Sequence, residues 1–360
     1  MKNRKKSALC LALCLSLLLP FPVRAQDTNT AELAASFQKL CDGTLSPGES
    51  VSDWAVIALN LCGITGENRA YQKGLEQYVT DTCRAKGTLD RVKATEYHRI
   101  ALAAMAVGMD PRCVGRDRID LVADGVWNFR PGLEKQGLNG LLYALILLDA
   151  GDFELPADCS MTRESLVDRV LARQEEDGSF GLAEGSSDAD ITAMALQALG
   201  PYREREDVKA AGERAFAWLS SLLTERGTFL AGGNESAETM AQCILALCAF
   251  GIDPAGAESF SRGGRSLLEN LEWFRRDGGY VHAIADEKIN PMATEQVLLA
   301  LCAVEKLQSG EKLYHFGAGG ESSRGTVRWI IPGIAAAGIG GAFAAGRKSS
   351  AVICQALDEK

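Results

Sequence analysis

Apolar residues recur along much of this chain at the spacing of a single helix face. Ile191, Met194, Ala195, Ala198 and Leu199 stand at i, i+3, i+4, i+7 and i+8, one apolar stripe. Val208, Ala211, Ala215, Trp218, Leu219 and Leu222 form a second stripe, with Lys209, Glu213 and Arg214 off it. Gly108-Met109-Asp110-Pro111 and Gly251-Ile252-Asp253-Pro254 read as helix stops, with Gly as the C-terminal cap and Pro just beyond. No segment alternates convincingly with period two. The pattern predicts an all-α chain.

The same helical unit recurs. A short turn appears at Gly43-Thr44-Leu45, Gly87-Thr88-Leu89, Gly132-Leu133, Gly178-Ser179-Phe180, Gly227-Thr228-Phe229 and Gly278-Gly279-Tyr280, at intervals of about 44 to 51 residues. Each turn is followed by an Ala-Leu pair: Ala58-Leu59, Ala101-Leu102, Ala144-Leu145, Ala198-Leu199, Ala246-Leu247 and Ala300-Leu301. The segments before the turns carry more charge and are expected outside. Those after them are rich in Ala, Leu, Met and Cys and are expected inside. Six hairpins could stack as an open solenoid, which needs polar capping repeats. The first repeat (Trp54, Val56, Ile57, Leu59, Leu61) and the last (Val297, Leu298, Leu299, Leu301) are as apolar as the rest. The expectation is therefore closure, first against sixth: an α6/α6 toroid of twelve helices around a central cavity, over residues 30–310.

The two ends have a different pattern. Residues 2–6 are strongly basic, an apolar run spans Ala8–Phe21, and Val23-Arg24-Ala25 offers a small-residue cleavage site. This is the three-part build of a signal peptide over 1–25. Near the other end, Trp329–Gly346 holds no charge and Arg347-Lys348 follow it, which fits a short transmembrane helix over 329–346 with its basic flank inside. Residues 317–327 read as a flexible stalk and 347–360 as a short cytoplasmic tail. The chain is expected to be exported and held by a single-pass anchor at the outer face of the cell membrane.

Composition narrows the partners. Lys+Arg 38 against Asp+Glu 47 gives a net charge of -9, and loss of a basic leader would deepen it. A nucleic-acid partner is not expected. Three histidines without ligand spacing offer little for a metal site, and neither metal nor cofactor is expected.

Gln174-Glu175-Glu176-Asp177-Gly178-Ser179-Phe180 resembles the Q-x3-G-x-W turn of the prenyltransferase and squalene-cyclase repeat superfamily, with Phe for Trp. Asp188-Ala189-Asp190-Ile191-Thr192-Ala193 resembles the D-x-D-D-T-A stretch of its class II terpene cyclases. The segments 234–249 and 292–296 resemble exported bacterial members. The resemblance implies the α/α-toroid fold and leaves the function open. In the cyclases the middle Asp protonates an alkene or epoxide. Asp190 matches it beside Asp188, but the last Asp of the motif is Ile191. Both could instead serve the start of a helix, where carboxylates cap N–H groups; Asp53, Glu96, Glu238 and Glu295 stand near the same point in other repeats. Protein prenylation needs Asp, Cys and His on zinc. The corresponding helix starts read Ala237-Glu238-Thr239-Met240 and Met292-Ala293-Thr294-Glu295, without Cys or His. A thioester Cys-Gly-Glu-Gln is absent, as is the β-domain of a cobalamin carrier.

What remains is a cavity protein. Its mouth would gather Trp54, Tyr97, Phe180, Phe229 and Tyr280 with Asp53, Glu96, Asp188, Asp190, Glu238 and Glu295. Such a mouth suits a cationic or amphipathic small ligand or a peptide, with an isoprenoid or corrinoid also open; equally, the aromatics could simply plug the ring. His282 is expected in a loop or at the rim. Among the cysteines, Cys113 and Cys159 occupy matching loops of adjacent repeats and form the candidate disulfide. Cys248 and Cys302 are expected as small buried thiols.

Overall fold

The computed structural model describes residues 30–41, 45–64 and 68–316. The leader, stalk, anchor and tail expected from the sequence lie outside these residues. Within them no helix is long and apolar enough to cross a membrane.

Among the described residues twelve α-helices follow one another: α1 (Thr30–Cys41), α2 (Ser50–Leu61), α3 (Asn68–Lys86), α4 (Ala94–Ala106), α5 (Leu121–Gly125), α6 (Asn139–Ala150), α7 (Arg163–Leu171), α8 (Ala189–Leu199), α9 (Glu206–Ser221), α10 (Ala237–Ala249), α11 (Leu267–Leu271) and α12 (Pro291–Ser309). The even-numbered helices form the inner ring. α2 packs on α4, α4 on α6, α6 on α8, α8 on α10, α10 on α12, and α12 returns to α2. The ring is closed, as the apolar first and last repeats demand.

Local sequence explains the two layers. α6 (NGLLYALILLDA) buries ten of its twelve residues, because it is covered from both sides. α3, an outer helix, buries Tyr71, Leu75 and Val79 at i, i+4 and i+8, and turns its charges outward. The outer layer is less regular than six matched hairpins would be. α5 and α11 have five residues each. α5 follows a Gly-, Pro- and Asp-rich stretch that cannot propagate a helix. Two tiny antiparallel hairpins, β1–β2 (Leu230–Ala231 with Asn234–Glu235) and β3–β4 (Arg275–Arg276 with Gly279–Tyr280), decorate the turns before α10 and α12.

The recurring turn glycine has a backbone cause. Gly87, Gly132, Gly178, Gly227 and Gly278 all have φ between +76 and +104, a region that a side chain disfavours. The turns after Gly178, Gly227 and Gly278 then share one hydrogen bond, although the loops that follow differ in length. The carbonyl of the turn aromatic accepts the N–H of the residue that caps the next inner helix: Phe180 O from Asp188 at 3.1 Å, Phe229 O from Ser236 at 2.9 Å, Tyr280 O from Asn290 at 2.8 Å.

The far end of the ring is strapped. α12 stops at Gly310, and residues 311–316 run from it to α6, its opposite number in the ring. There Phe316 N–H donates to Ala150 O at 2.9 Å. Leu313, Tyr314 and Phe316 pack against the core on the way. The inner helices all begin at the other end, and the candidate site is there.

Candidate functional site

The capping reading holds for one of the acids. Asp188 is the N-cap of α8, and its carboxylate accepts the Ile191 N–H at 3.0 Å. Ser236 and Asn290 do the same for α10 and α12. Asp190 and Glu238 stand two residues beyond their caps, and Glu295 five beyond, so none of these three is a cap. Close to Asp188 in repeat position, they differ from it in register.

Asp190, Glu238 and Glu295 come from three adjacent inner helices, α8, α10 and α12, and form an acidic cluster. Glu238 is satisfied: His282 Nδ1 lies 2.9 Å from both its oxygens, and Ser236 Oγ donates to it at 3.1 Å. The His282 loop docks here because the Ala237 N–H donates to the His282 carbonyl at 3.1 Å. Asp190 Oδ1 and Glu295 Oε1 are buried and have no hydrogen-bond partner. Burial, then the neighbouring Asp188, pushes the Asp190 carboxyl up to about 7; the Thr239 hydroxyl works against this, and Glu238 adds to it. Burial and the Glu238 charge push Glu295, 3% exposed, up to about 8. Burial first, and neighbouring carboxylates second, therefore keep Glu295 largely protonated and Asp190 about half protonated around neutrality.

The expected mouth is otherwise corrected. Phe180, Phe229 and Tyr280 are fully buried. Their main chains are engaged by the inner helices, as where Phe180 N–H donates to Thr192 Oγ1 at 2.9 Å and Tyr280 N–H to Thr294 Oγ1 at 2.9 Å. They wedge the turns from within. Tyr97 is buried too, its hydroxyl accepting the Leu89 N–H at 3.0 Å and its ring edge-on to Phe129. Asp53 and Glu96 are neutralised. Arg99 donates to Asp53 at 2.9 Å and grips Glu96 through two bonds of 2.6 and 2.7 Å, while Tyr71 and the Gly48 N–H complete the shell of Asp53. The α2–α4 side is thus an internal ion network that ties three helices and a loop, and the unpaired acidity lies on the α8–α12 side.

Trp54 does face the interior. It meets Tyr143 of α6 with ring centroids 5.9 Å apart, and the Tyr143 hydroxyl donates to Met194 Sδ at 3.4 Å. A chain of amides crosses three helices: Gln197 to Gln242 at 2.8 Å, Gln242 to Gln296 at 3.0 Å. Tyr143, these glutamines and Arg99 were not foreseen. Two signals existed: Gln242 and Gln296 each stand six residues past their caps, and Arg99 is the one Lys or Arg of α4, three residues after Glu96.

A cleft of about 460 Å³ lies outside the ring, between α1 and the β3–β4 hairpin, lined by Glu32, Arg275, Arg276 and Gly278. It does not reach the acidic cluster. Among the described residues no group of three or more His, Cys, Asp or Glu is arranged to hold a metal ion. His98 is buried, with Nε2 2.7 Å from the Gly125 carbonyl. Cys113 and Cys159 are both free thiols, so the expected disulfide is not formed here. Cys159 Sγ instead accepts the Met161 N–H at 3.4 Å.

No family model matches the chain, and no curated protein does. Among solved structures the chain is similar to Candida albicans protein geranylgeranyltransferase-I complexed with GGPP, with a TM-score of 0.53 over 80% of this chain and 93% of that one. At 13% identity this likeness shows the fold alone. That fold is a mostly helical toroid of prenyltransferase type, in agreement with the fold the turn motif implied.

Proposed function

We propose that the chain is a binding toroid which takes a cationic small ligand, or the basic side chain of a peptide, at the ring end where α8, α10 and α12 begin. The carrying observation is the cluster of Asp190, Glu238 and Glu295, with two carboxyl oxygens buried and unpartnered. A cation entering the cluster supplies the missing countercharge and donors, and lets the two protonated carboxyls ionise. Trp54 and Tyr143 add aromatic surface nearby. The reading includes export and a membrane anchor, supported by the sequence patterns of residues 1–25 and 329–346, and no catalysis, supported by a catalytic motif that lacks its last Asp.

The test is calorimetric titration of the full chain with spermidine, choline and a short lysine peptide, repeated on the Asp190→Asn/Glu295→Gln double variant. Binding weakened at least tenfold in the variant supports the site. Binding of the same strength in both, or none in either, removes it.

One observation favours a second reading, a diverged class II cyclase. Asp190 is a carboxyl held up to about 7, and such an acid can donate a proton. The surroundings favour binding over this alternative. A carbocation needs an apolar, aromatic-walled cavity, whereas Asp190 is flanked by Asp188, Glu238 and His282, and the amide chain runs across the same three helices. Incubation with squalene and C15–C20 isoprenoids separates the two: product formation that Asp190→Asn abolishes would establish the cyclase.

A further inference from the structure

α2 and α12 are neighbours in the ring but not along the chain. Every other pair of adjacent inner helices is joined through the outer helix between them; at the α12–α2 joint the ring is held by packing, with α1 lying against α12. This joint is the seam of the toroid.

Two cysteines sit on the seam. Cys62 ends α2 and is partly exposed; Cys302 lies within α12 and is 2% exposed. Each thiol reaches the backbone of the other helix. Cys302 Sγ donates to Leu61 O at 3.3 Å, and Cys62 Sγ lies 3.9 Å from Leu298 O, one turn before Cys302. The two thiols are thus brought to the same joint, and the influence of Cys302, followed by burial, raises the Cys62 thiol well above its ordinary range.

We propose that Cys62 and Cys302 are a disulfide site that clasps the ring at its seam, formed by exchange with a small-molecule disulfide such as oxidised glutathione. The partly exposed Cys62 thiolate attacks one sulfur of the oxidant, forming a mixed disulfide and expelling one glutathione thiolate, which takes up the proton Cys62 released. Cys302 then gives up its proton and attacks the Cys62 sulfur, forming the Cys62–Cys302 bond and expelling the second glutathione thiolate, which takes up that proton. Two protein thiols are oxidised and one glutathione disulfide is reduced to two thiols. The closed loop spans residues 62–302, nearly the whole toroid, so in the chain-entropy picture the clasp constrains the unfolded state strongly. It also blocks the one route by which the ring can open without breaking a hairpin. The proposal is independent of the ligand reading.

The experiment oxidises the full chain with oxidised glutathione, alkylates remaining thiols, and maps peptides by mass spectrometry without reduction. The expected result is a cross-linked peptide joining Cys62 to Cys302, with a rise in Tm on the order of 5–10 °C that dithiothreitol reverses. Cys62→Ser and Cys302→Ser abolish both changes, and Cys113→Ser keeps them. Recovery of Cys62 and Cys302 as separately alkylated or separately glutathionylated residues overturns the proposal. Mapping of the unaltered chain decides the matter even if a serine variant fails to fold.

Discussion

His282 Nδ1 lies 2.9 Å from both carboxylate oxygens of Glu238, joining the loop after β4 to the start of α10. The hydrogen bond to Glu238, and then its charge, raise the pKa of His282 above its ordinary 6.5 against the opposing effect of burial. The folded state therefore favours imidazolium. This contribution is fully present below 6.5 and is lost as pH rises through the higher folded-state value. Replacing His282 by Gln is expected to lower Tm at pH 5.5 and to have little effect at pH 9, measured by scanning fluorimetry across that range. An equal loss at both ends would mean that packing, and not charge, holds the loop.

The two protonated carboxyls act on stability in the same direction. Their folded-state values are raised, to about 7 for Asp190 and about 8 for Glu295. Stability is highest below their unfolded values near 4 and falls as pH climbs to about 8. Glu295→Gln removes the ionisation and should flatten this decline, gaining about 1 to 3 kcal/mol at pH 8 and nothing at pH 4. Urea unfolding at the two pH values checks it. If the cluster binds a cation, affinity for spermidine should rise between pH 5 and pH 8 as the carboxyls surrender their protons.

Arg99 neutralises Asp53 and Glu96 where water does not reach; Asp53 is fully buried. Truncation to Met keeps much of the stem but strands the Asp53 carboxylate. The expected cost is about 3 to 5 kcal/mol. The double variant Arg99→Met/Asp53→Asn should recover part of it, because the stranded charge is gone. Chemical denaturation of the three variants forms the necessary comparison, and a loss below about 1 kcal/mol in Arg99→Met would show the network to be solvated.

Among the turn glycines, the need for left-handed backbone can be separated from the need for space. Gly87 and Gly227 share φ +76, but a Cβ on Gly87 meets nothing within 4 Å, whereas one on Gly227 comes 2.1 Å from Asn270 Nδ2. Gly87→Ala should cost about 1 kcal/mol and Gly227→Ala up to about 3. Equal losses in thermal unfolding would assign the whole effect to the backbone.

The sequence alone determined the repeat, the helical period, the inner and outer layers and the closure of the ring. These follow from local rules: apolar spacing fixes which face is buried, Gly marks left-handed backbone, and terminal repeats with apolar faces must be covered. It also showed the acids near the inner-helix starts, the end where the proposed site lies. Only the tertiary structure decided which of them are free. Asp188 caps a helix; Asp53 and Glu96 are bound by Arg99; Phe180, Phe229 and Tyr280 are wedges. Asp190 and Glu295 keep unsatisfied oxygens beside Glu238. Some of those differences depend on residues 40 or more positions apart, such as Glu238 with His282 and Asp53 with Arg99. They also depend on a register of two, or five, residues past a cap. One acid in a sequence looks like another until the groups facing it across the ring are known, because its charge state is set by burial and by partners that the chain brings together only on folding.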